Sequence, residues 1–409
     1  MNDIRKMIGV LLDQIPDTVF GLERQMAVGD LVSQLELRER VDLRKILNTF
    51  LSKMFLLEAS DIELGGHGCQ GQVWYRIFGA KKPEPIWGTF TPEEISALIQ
   101  NVLTDGQRKI LYENRNLDFS YSVPENGIAH RLRADAYFDL DHLALNMRSI
   151  NAYVRPYKDL EIHPNVGRVL NLIHTKEGLT LVTGITGSGK SSTLDTVIDA
   201  NNHSIDAHIV IIASPVEYVH RSDRCIIRHR EVGKDVTSFR DGVVQSLRQD
   251  PDIVVIGEMR DPETIMTALE ITDSGHKVFS TLHTSSAVES IDRIIGEITP
   301  MEQERVRNRL ADVLKCVISQ KLIPSLDGQR VLAKEVLLVT PSVKAAIKNG
   351  NTHEIYQMIA ESGKLGMITM EQDLRRLYMR RKISLENALD YANNKRRMEQ
   401  LLSARPIGD

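Results

Sequence analysis

Positions 180–193 read TLVTGITGSGKSST, an apolar β-rich run that breaks into a glycine-rich loop and then into a helix-compatible stretch. The spacing G-x-x-x-x-G-K-S is that of a phosphate-binding loop, and each part of it has a mechanical job. Gly184, Gly187 and Gly189 permit backbone conformations that a Cβ forbids, so amide N–H groups through Thr186, Gly187, Ser188 and Gly189 can turn toward phosphate oxygens. Lys190 adds a mobile positive charge for the outer phosphates, and the Ser191 hydroxyl is placed to ligate Mg²⁺. Ser192 continues into a helix whose positive end faces the anion. The expected ligand is a nucleotide with Mg²⁺.

Such a loop needs an acid on the metal side. The run DPDIVVIGEMRD at 250–261 carries four apolar residues up through a sheet and delivers Glu258 where a phosphate loop also emerges. A carboxylate there can hold a metal-bound water or take a proton from it. The same acid can also be a neighbour of a helix start, because Asp261, Pro262 and Glu263 form an N-terminal helix signal. His276 and His283 flank a short strand pattern. Taken alone, a histidine at a strand end is more often a satisfied structural residue than a catalytic one. With no third ligand in view the pair does not argue for zinc.

The elements that must position these groups alternate between strand and helix. Segments 179–183, 208–213, 253–256, 278–281 and 331–339 are rich in Val and Ile and separated mostly by helical patterns, which implies a parallel sheet covered on both faces. Phosphate loops sit at the C-terminal edge of such sheets. Upstream, residues 58–151 alternate strands and helices, with turn signals at Gly65-Gly66, Gly79 and 124–127, and read as a compact α/β domain. The proline-containing stretch 152–165 reads as a linker. Two apolar stripes precede the first strand, one at Ile4, Met7, Ile8, Leu11, Leu12 and Ile15, the other at Leu43, Ile46, Leu47, Phe50, Leu51 and Met54. The first has a mixed-charge polar face, so it is expected to pack on its own domain or a neighbouring subunit, not on a membrane. A length of 409 residues, 42% hydrophobic and 26% charged, is that of an ordinary globular chain with room for two or three domains. The net charge of −4 gives no general pull toward nucleic acid or anionic lipid. Cys69, Cys225 and Cys316 form no C-x-x-C pair and read as buried or idle thiols in a reducing cytosol. No apolar run reaches transmembrane length and no signal peptide is evident, so a cytoplasmic protein is expected.

Several separate segments resemble one family. SFRDGVVQSLRQDPDIVVIGEMRD at 238–261 and SGHKVFSTLHT at 274–284 are similar to the secretion ATPase superfamily of type II secretion and type IV pili, within it to the PilT/PilU-like pilus retraction branch. ASDIEL at 59–64, YRIFG at 75–79, RLRADAY at 131–137, MRSI at 147–150 and GMITMEQDL at 366–374 extend the similarity over about residues 43–397. The resemblance implies an α/β chain with an N-terminal PAS-like domain at 43–151 and a RecA-like core with a parallel-rich sheet at 166–340. A C-terminal helical region at 341–409 would follow, and an extension at 1–42 has no counterpart in the short members compared. It implies a homohexameric ATP-driven motor, cytoplasmic and peripheral at the inner membrane. Its expected partners are an inner-membrane platform protein and a related retraction or extension ATPase, with no nucleic acid.

The resemblance also assigns roles. His276 and His283 fall on the family's His box, whose second histidine approaches the γ-phosphate. Arg133 and Arg148 fall on arginines that reach the nucleotide from the N-terminal domain, where guanidinium forks suit phosphoryl charge. One departure matters. Members carry an acidic box of the form Glu-Asp-Pro-(Ile/Val)-Glu, whereas this chain reads Ala213-Ser214-Pro215-Val216-Glu217. Glu217 remains as a catalytic acid, but Ser214 supplies neither charge nor a base near neutral pH. Nucleotide binding with slowed hydrolysis is therefore expected. Lys344 and Lys348 keep basic character in the segment where retraction motors carry a disassembly motif.

Overall fold

The computed structural model describes residues 2–77, 80–125, 128–150 and 154–403. Gly79 and Asn126-Gly127, expected as turns, and the first residues of the expected linker lie outside the described residues. The chain divides into two compact units, Met1–Ala152 and Tyr153–Asp409.

The first unit opens with three helices, α1 (Asn2–Leu12), α2 (Gly21–Gln34) and α3 (Leu37–Leu56). The strands β1 (Asp61–Gly65), β2 (Trp74–Ile77) and β3 (Ala80–Pro83) follow, then α4 (Pro92–Gln100) and α5 (Asp105–Asn114). The unit closes with β4 (Asn116–Glu125), β5 (Ile128–Asp139) and β6 (His142–Ser149). The sheet is antiparallel throughout, in the order β3-β2-β1-β6-β5-β4. The helix starts are written in the sequence. Glu36 and Glu39 form a capping box for α3, Thr91 and Glu94 one for α4 behind Pro92, and Thr104 and Gln107 one for α5. The second apolar stripe is buried along α3. Because α3 begins at Leu37, it runs across position 42 without a break. Ile8, Leu11, Ile15, Val28 and Val32 share a core with α3 and the sheet, so the extension packs on its own domain. Ion pairs Arg5–Glu94 at 2.9 Å and Arg24–Glu93 at 2.8 Å fix α1 and α2 to α4.

The second unit begins with α6 (Pro164–Leu170), β7 (Gly178–Thr183), α7 (Lys190–Asn202), β8 (Ala207–Ala213) and β9 (Cys225–Glu231). Next come α8 (Phe239–Ser246), β10 (Ile253–Ile256), α9 (Pro262–Asp273), β11 (Lys277–Leu282), α10 (Ala287–Gly296) and α11 (Gln303–Val313). The hairpin β12 (Leu314–Pro324) and β13 (Arg330–Leu338) is followed by α12 (Pro341–Lys348), α13 (Ile355–Glu361), α14 (Met370–Met379), α15 (Leu385–Asp390) and α16 (Lys395–Ser403). The sheet order is β13-β12-β7-β11-β10-β8-β9, parallel except for the β12–β13 pair. All five expected strands are present. Two more were not anticipated. β9 carries Arg228, His229 and Arg230 and so lacks an apolar signature, and β12 continues directly from a helix with no turn residue between. One face is covered mainly by α8 to α13 and the other by α6 and α7, each with its own apolar core. Leu160 belongs to the second of these cores and Tyr157 and Ile162 pack against it, so the later part of the expected linker is packed structure. All three cysteines are buried and free. Among the described residues no helix is long and apolar enough to cross a membrane.

Candidate functional site

The C-terminal ends of β7, β8, β10 and β11 bring the chemistry together. The loop after β7 is shaped by positive φ angles at Gly184, Gly187 and Gly189, of 149°, 79° and 87°. At Gly184 the requirement is also steric, because an added Cβ would lie 2.5 Å from the backbone oxygen of Gln320 on β12. Gln320 supports the loop further by donating from Nε2 to Ser188 O at 2.8 Å. Gly189 caps α7, so the helix begins at Lys190.

Lys190 Nζ donates to Gly184 O at 2.8 Å and to Ile185 O at 3.2 Å, which parks its charge inside the loop. Burial lowers its pKa, and the nearby carboxylates of Glu258 and Glu217 oppose that shift. Glu258 leaves β10 mostly covered, is paired with Arg260 Nε at 2.7 Å and lies 3.6 Å from His283 Nε2. His283 follows the last residue of β11. Its pKa is lowered by burial and then by the charge of Lys190, which favours neutral imidazole. Lys190, Glu258, His283 and Glu217 thus form one electrostatic cluster around the loop. Ser191 is half-buried at the start of α7, while Thr186, Gly187 and Ser192 are exposed.

The residues present fit a nucleotide phosphate chain. A buried cation whose hydrogen bonds go to loop carbonyls, and a buried Ser188 Oγ that has no hydrogen-bond partner among the described residues, both suit an incoming anion. Ser191 and Glu258 are the groups that would hold Mg²⁺, an oxygen-seeking ion, and its charge would add to that of Lys190.

The sequence profile described as "Type II/IV secretion system protein" matches residues 39–403. The chain belongs to the type II/IV secretion system protein family. Relatives in this secretion family include the type IV pilus retraction ATPase PilT of Pseudomonas aeruginosa, 39% identical over 73% of this chain and 86% of that protein. The type IV pilus ATPase PilU of the same organism is 34% identical over 74% of this chain and 78% of its own length. A crystal structure of the pilus retraction motor PilT with bound ADP superposes with a TM-score of 0.76 at 36% identity, covering 86% of this chain and 98% of that one. The family's mixed α/β fold, with an N-terminal and a C-terminal domain each built on a sheet, is the fold described above.

Of the two histidines expected at this secretion-family site, only His283 is brought to the loop. His276 precedes β11, at the opposite edge of the sheet, with Nδ1 against Ser274 Oγ at 3.0 Å and Ile271 O at 3.2 Å. A six-residue strand of about 3.3 Å per residue separates it from His283 by roughly 20 Å, so within one chain the two histidines do not share a site. Arg133 and Arg148 lie directly opposite one another on β5 and β6 of the first unit. There Arg133 is 3.4 Å from Asp118 and Arg148 is 2.7 Å from Asp61, both side chains remaining exposed. Three residues escaped sequence reasoning. Gln320 and Glu231 come from the two strands that were not anticipated, and Arg260 was passed over within the Glu258 motif. Glu231 sits opposite Ala213 in the β8–β9 register and accepts a hydrogen bond from Val216 N–H at 3.2 Å.

Proposed function

We propose that the chain is an ATP-hydrolysing motor subunit of a type IV pilus or type II secretion machine, assembling as a cytoplasmic homohexamer and powering pilus retraction through a membrane platform protein. The observation that carries the reading is the clustering of Glu258, His283 and Glu217 around Lys190, in a family whose relatives are named as pilus ATPases. ATP with Mg²⁺ supplies the phosphoanhydride and a strong local positive charge. The loop at 184–191 binds the phosphate chain through backbone amides and Lys190. Glu258, held by Arg260, orients the attacking water and accepts its proton. His283, kept neutral by burial and Lys190, hydrogen-bonds near the outer phosphate and relays its loss to α10. Arg133 and Arg148 would add positive charge when the N-terminal unit, of this subunit or a neighbour, closes on the nucleotide.

A second reading is favoured by Ala213 and Ser214, which leave one carboxylate where the family pattern has three. In it the chain binds nucleotide and serves beside an active retraction ATPase as an accessory subunit with little turnover. Steady-state hydrolysis of the wild type against Glu258→Ala separates the two. A large drop supports the motor, and equal near-zero rates support the accessory role. A strictly monomeric state with ATP at working concentration overturns the ring.

A further inference from the structure

The segment that carries Glu217 has no regular structure between the end of β8 at Ala213 and the start of β9 at Cys225. Without a ladder of its own, such a segment is held by whatever partners its backbone and side chains find. Most of them come from two elements. β9 supplies Glu231, which accepts from Val216 N–H at 3.2 Å, and His229, whose Nε2 accepts from His220 N–H at 3.0 Å. α7 supplies others from one helical face, at positions 195 and 202, and the turn between α7 and β8 holds Arg224 through Ser204 O and Asp206, each at 2.9 Å. Asn202 Nδ2 donates to Arg221 O at 2.9 Å, its Oδ1 accepts from Asp223 N–H at 3.1 Å, and Asp195 Oδ1 lies 3.1 Å from His220 Nε2.

The Asp195–His220 contact is unlike the others. The imidazole is buried, and its Nδ1 has no hydrogen-bond partner among the described residues. An apolar side chain would fill the same space without an unsatisfied nitrogen, so the ring is retained at a cost in free energy. What the cost secures is a bond from Nε2–H to a partly buried carboxylate. Asp195 lies five residues after Lys190 on the same helix, a rise of about 7.5 Å. His220 lies three residues after Glu217. The bond therefore joins the helix that closes the phosphate loop to the loop that carries the acid. It does so in a chain where Glu217 is the acid left from the family's acidic box, with its charge acting on Lys190.

We propose that the Asp195–His220 pair is a positioning strut that makes the Glu217 loop move as one body with α7, keeping Glu217 beside the phosphate loop during hydrolysis. This rests on the ATPase reading above. Neither residue touches substrate. Their work is to remove freedom from an irregular loop whose misplacement by an ångström would be felt in the chemical step.

The test uses the full chain, with steady-state ATP hydrolysis read beside the affinity for a fluorescent ADP and the thermal midpoint. His220→Ala is expected to lower kcat by about 10- to 100-fold while ADP affinity changes by less than about twofold. His220→Gln, whose amide nitrogen can stand near Nε2, is expected to recover most of the rate. His220→Ala in a Glu217→Ala background is expected to cost nothing further, since the strut acts through Glu217. Should His220→Ala not fold, Asp195→Asn enters the same cycle and is expected to show the same split. The strut is overturned if the rate is unchanged, if ADP affinity falls in step with it, if Gln fails as Ala does, or if the losses at 220 and 217 multiply. In those outcomes wild type still exceeds Glu258→Ala and the ATPase reading survives. A wild type that hydrolyses no faster than Glu258→Ala overturns both.

Discussion

Replacing Gly184 by alanine tests how the phosphate loop is built. Its φ of 149° is one that L-residues rarely adopt, and the new Cβ would meet both the Ser188 side chain and, at 2.5 Å, the backbone oxygen of Gln320. The serine can rotate. The Gln320 oxygen cannot, because β12 is fixed between β7 and β13. The loop must retreat by about 1 Å to restore ordinary contact, on top of a backbone strain of about 1–3 kcal/mol. A retreat of that size removes the convergence of amides on phosphate, and we expect nucleotide affinity to fall about 100-fold, close to 2.7 kcal/mol. The assay is thermal unfolding with and without Mg-ATP at about 100 times the wild-type Kd. The wild type should gain about 2.7 kcal/mol from ligand and Gly184→Ala only about 0.4 kcal/mol. Gly106→Ala, at a helical position with open space around it, is the control and should keep the full ligand gain. An undiminished gain in Gly184→Ala would show that the close approach of β12 does not shape the loop.

Other outcomes follow from the same geometry. Ala213→Glu with Ser214→Asp, restoring the family's acidic pattern, should raise kcat for ATP and lower the Mg²⁺ needed for half-maximal rate; unchanged turnover would mean the existing loop is already sufficient. Burial lifts the carboxyl of Glu335 from its ordinary 4.5 to about 7, although it accepts a hydrogen bond from Ala287 N–H at 2.8 Å. A raised folded-state pKa means the folded chain holds the extra proton, so this group's contribution is full below about pH 4.5 and is lost as pH rises to about 7, by about 3 kcal/mol at most. Urea unfolding from pH 5 to 8 should show the decline, and Glu335→Gln should flatten it; equal slopes would discount the group.

Much of the site could be read before any coordinates, because local rules govern its parts. The spacing of Gly184, Gly187, Gly189, Lys190 and Ser191 specifies a loop conformation and a helix start, and four apolar residues ending in a carboxylate specify Glu258 at a strand's exit. Helix starts at Thr91, Thr104 and Thr369 were likewise written in capping pairs three residues apart. The five apolar strands announced themselves by composition. Those features depend on neighbours in the chain, and the sequence determines them alone.

What only the tertiary structure decided depends on distant partners. β9 is an edge strand with Arg228, His229 and Arg230 in its second half, so it lacks the continuous apolar run of a buried parallel strand, yet its Glu231 and His229 hold the Glu217 loop. Gln320 reaches the phosphate loop from a position 132 residues away, through a pairing of β12 with β7 that no local pattern encodes. His276 and His283 look equivalent as a sequence pair, but a strand is a ruler, and six residues of extended chain put them at opposite edges of the sheet. The chain's own order determined the loop conformation and helix start at 184–191; pairing between distant strands decided which side chains stand around them.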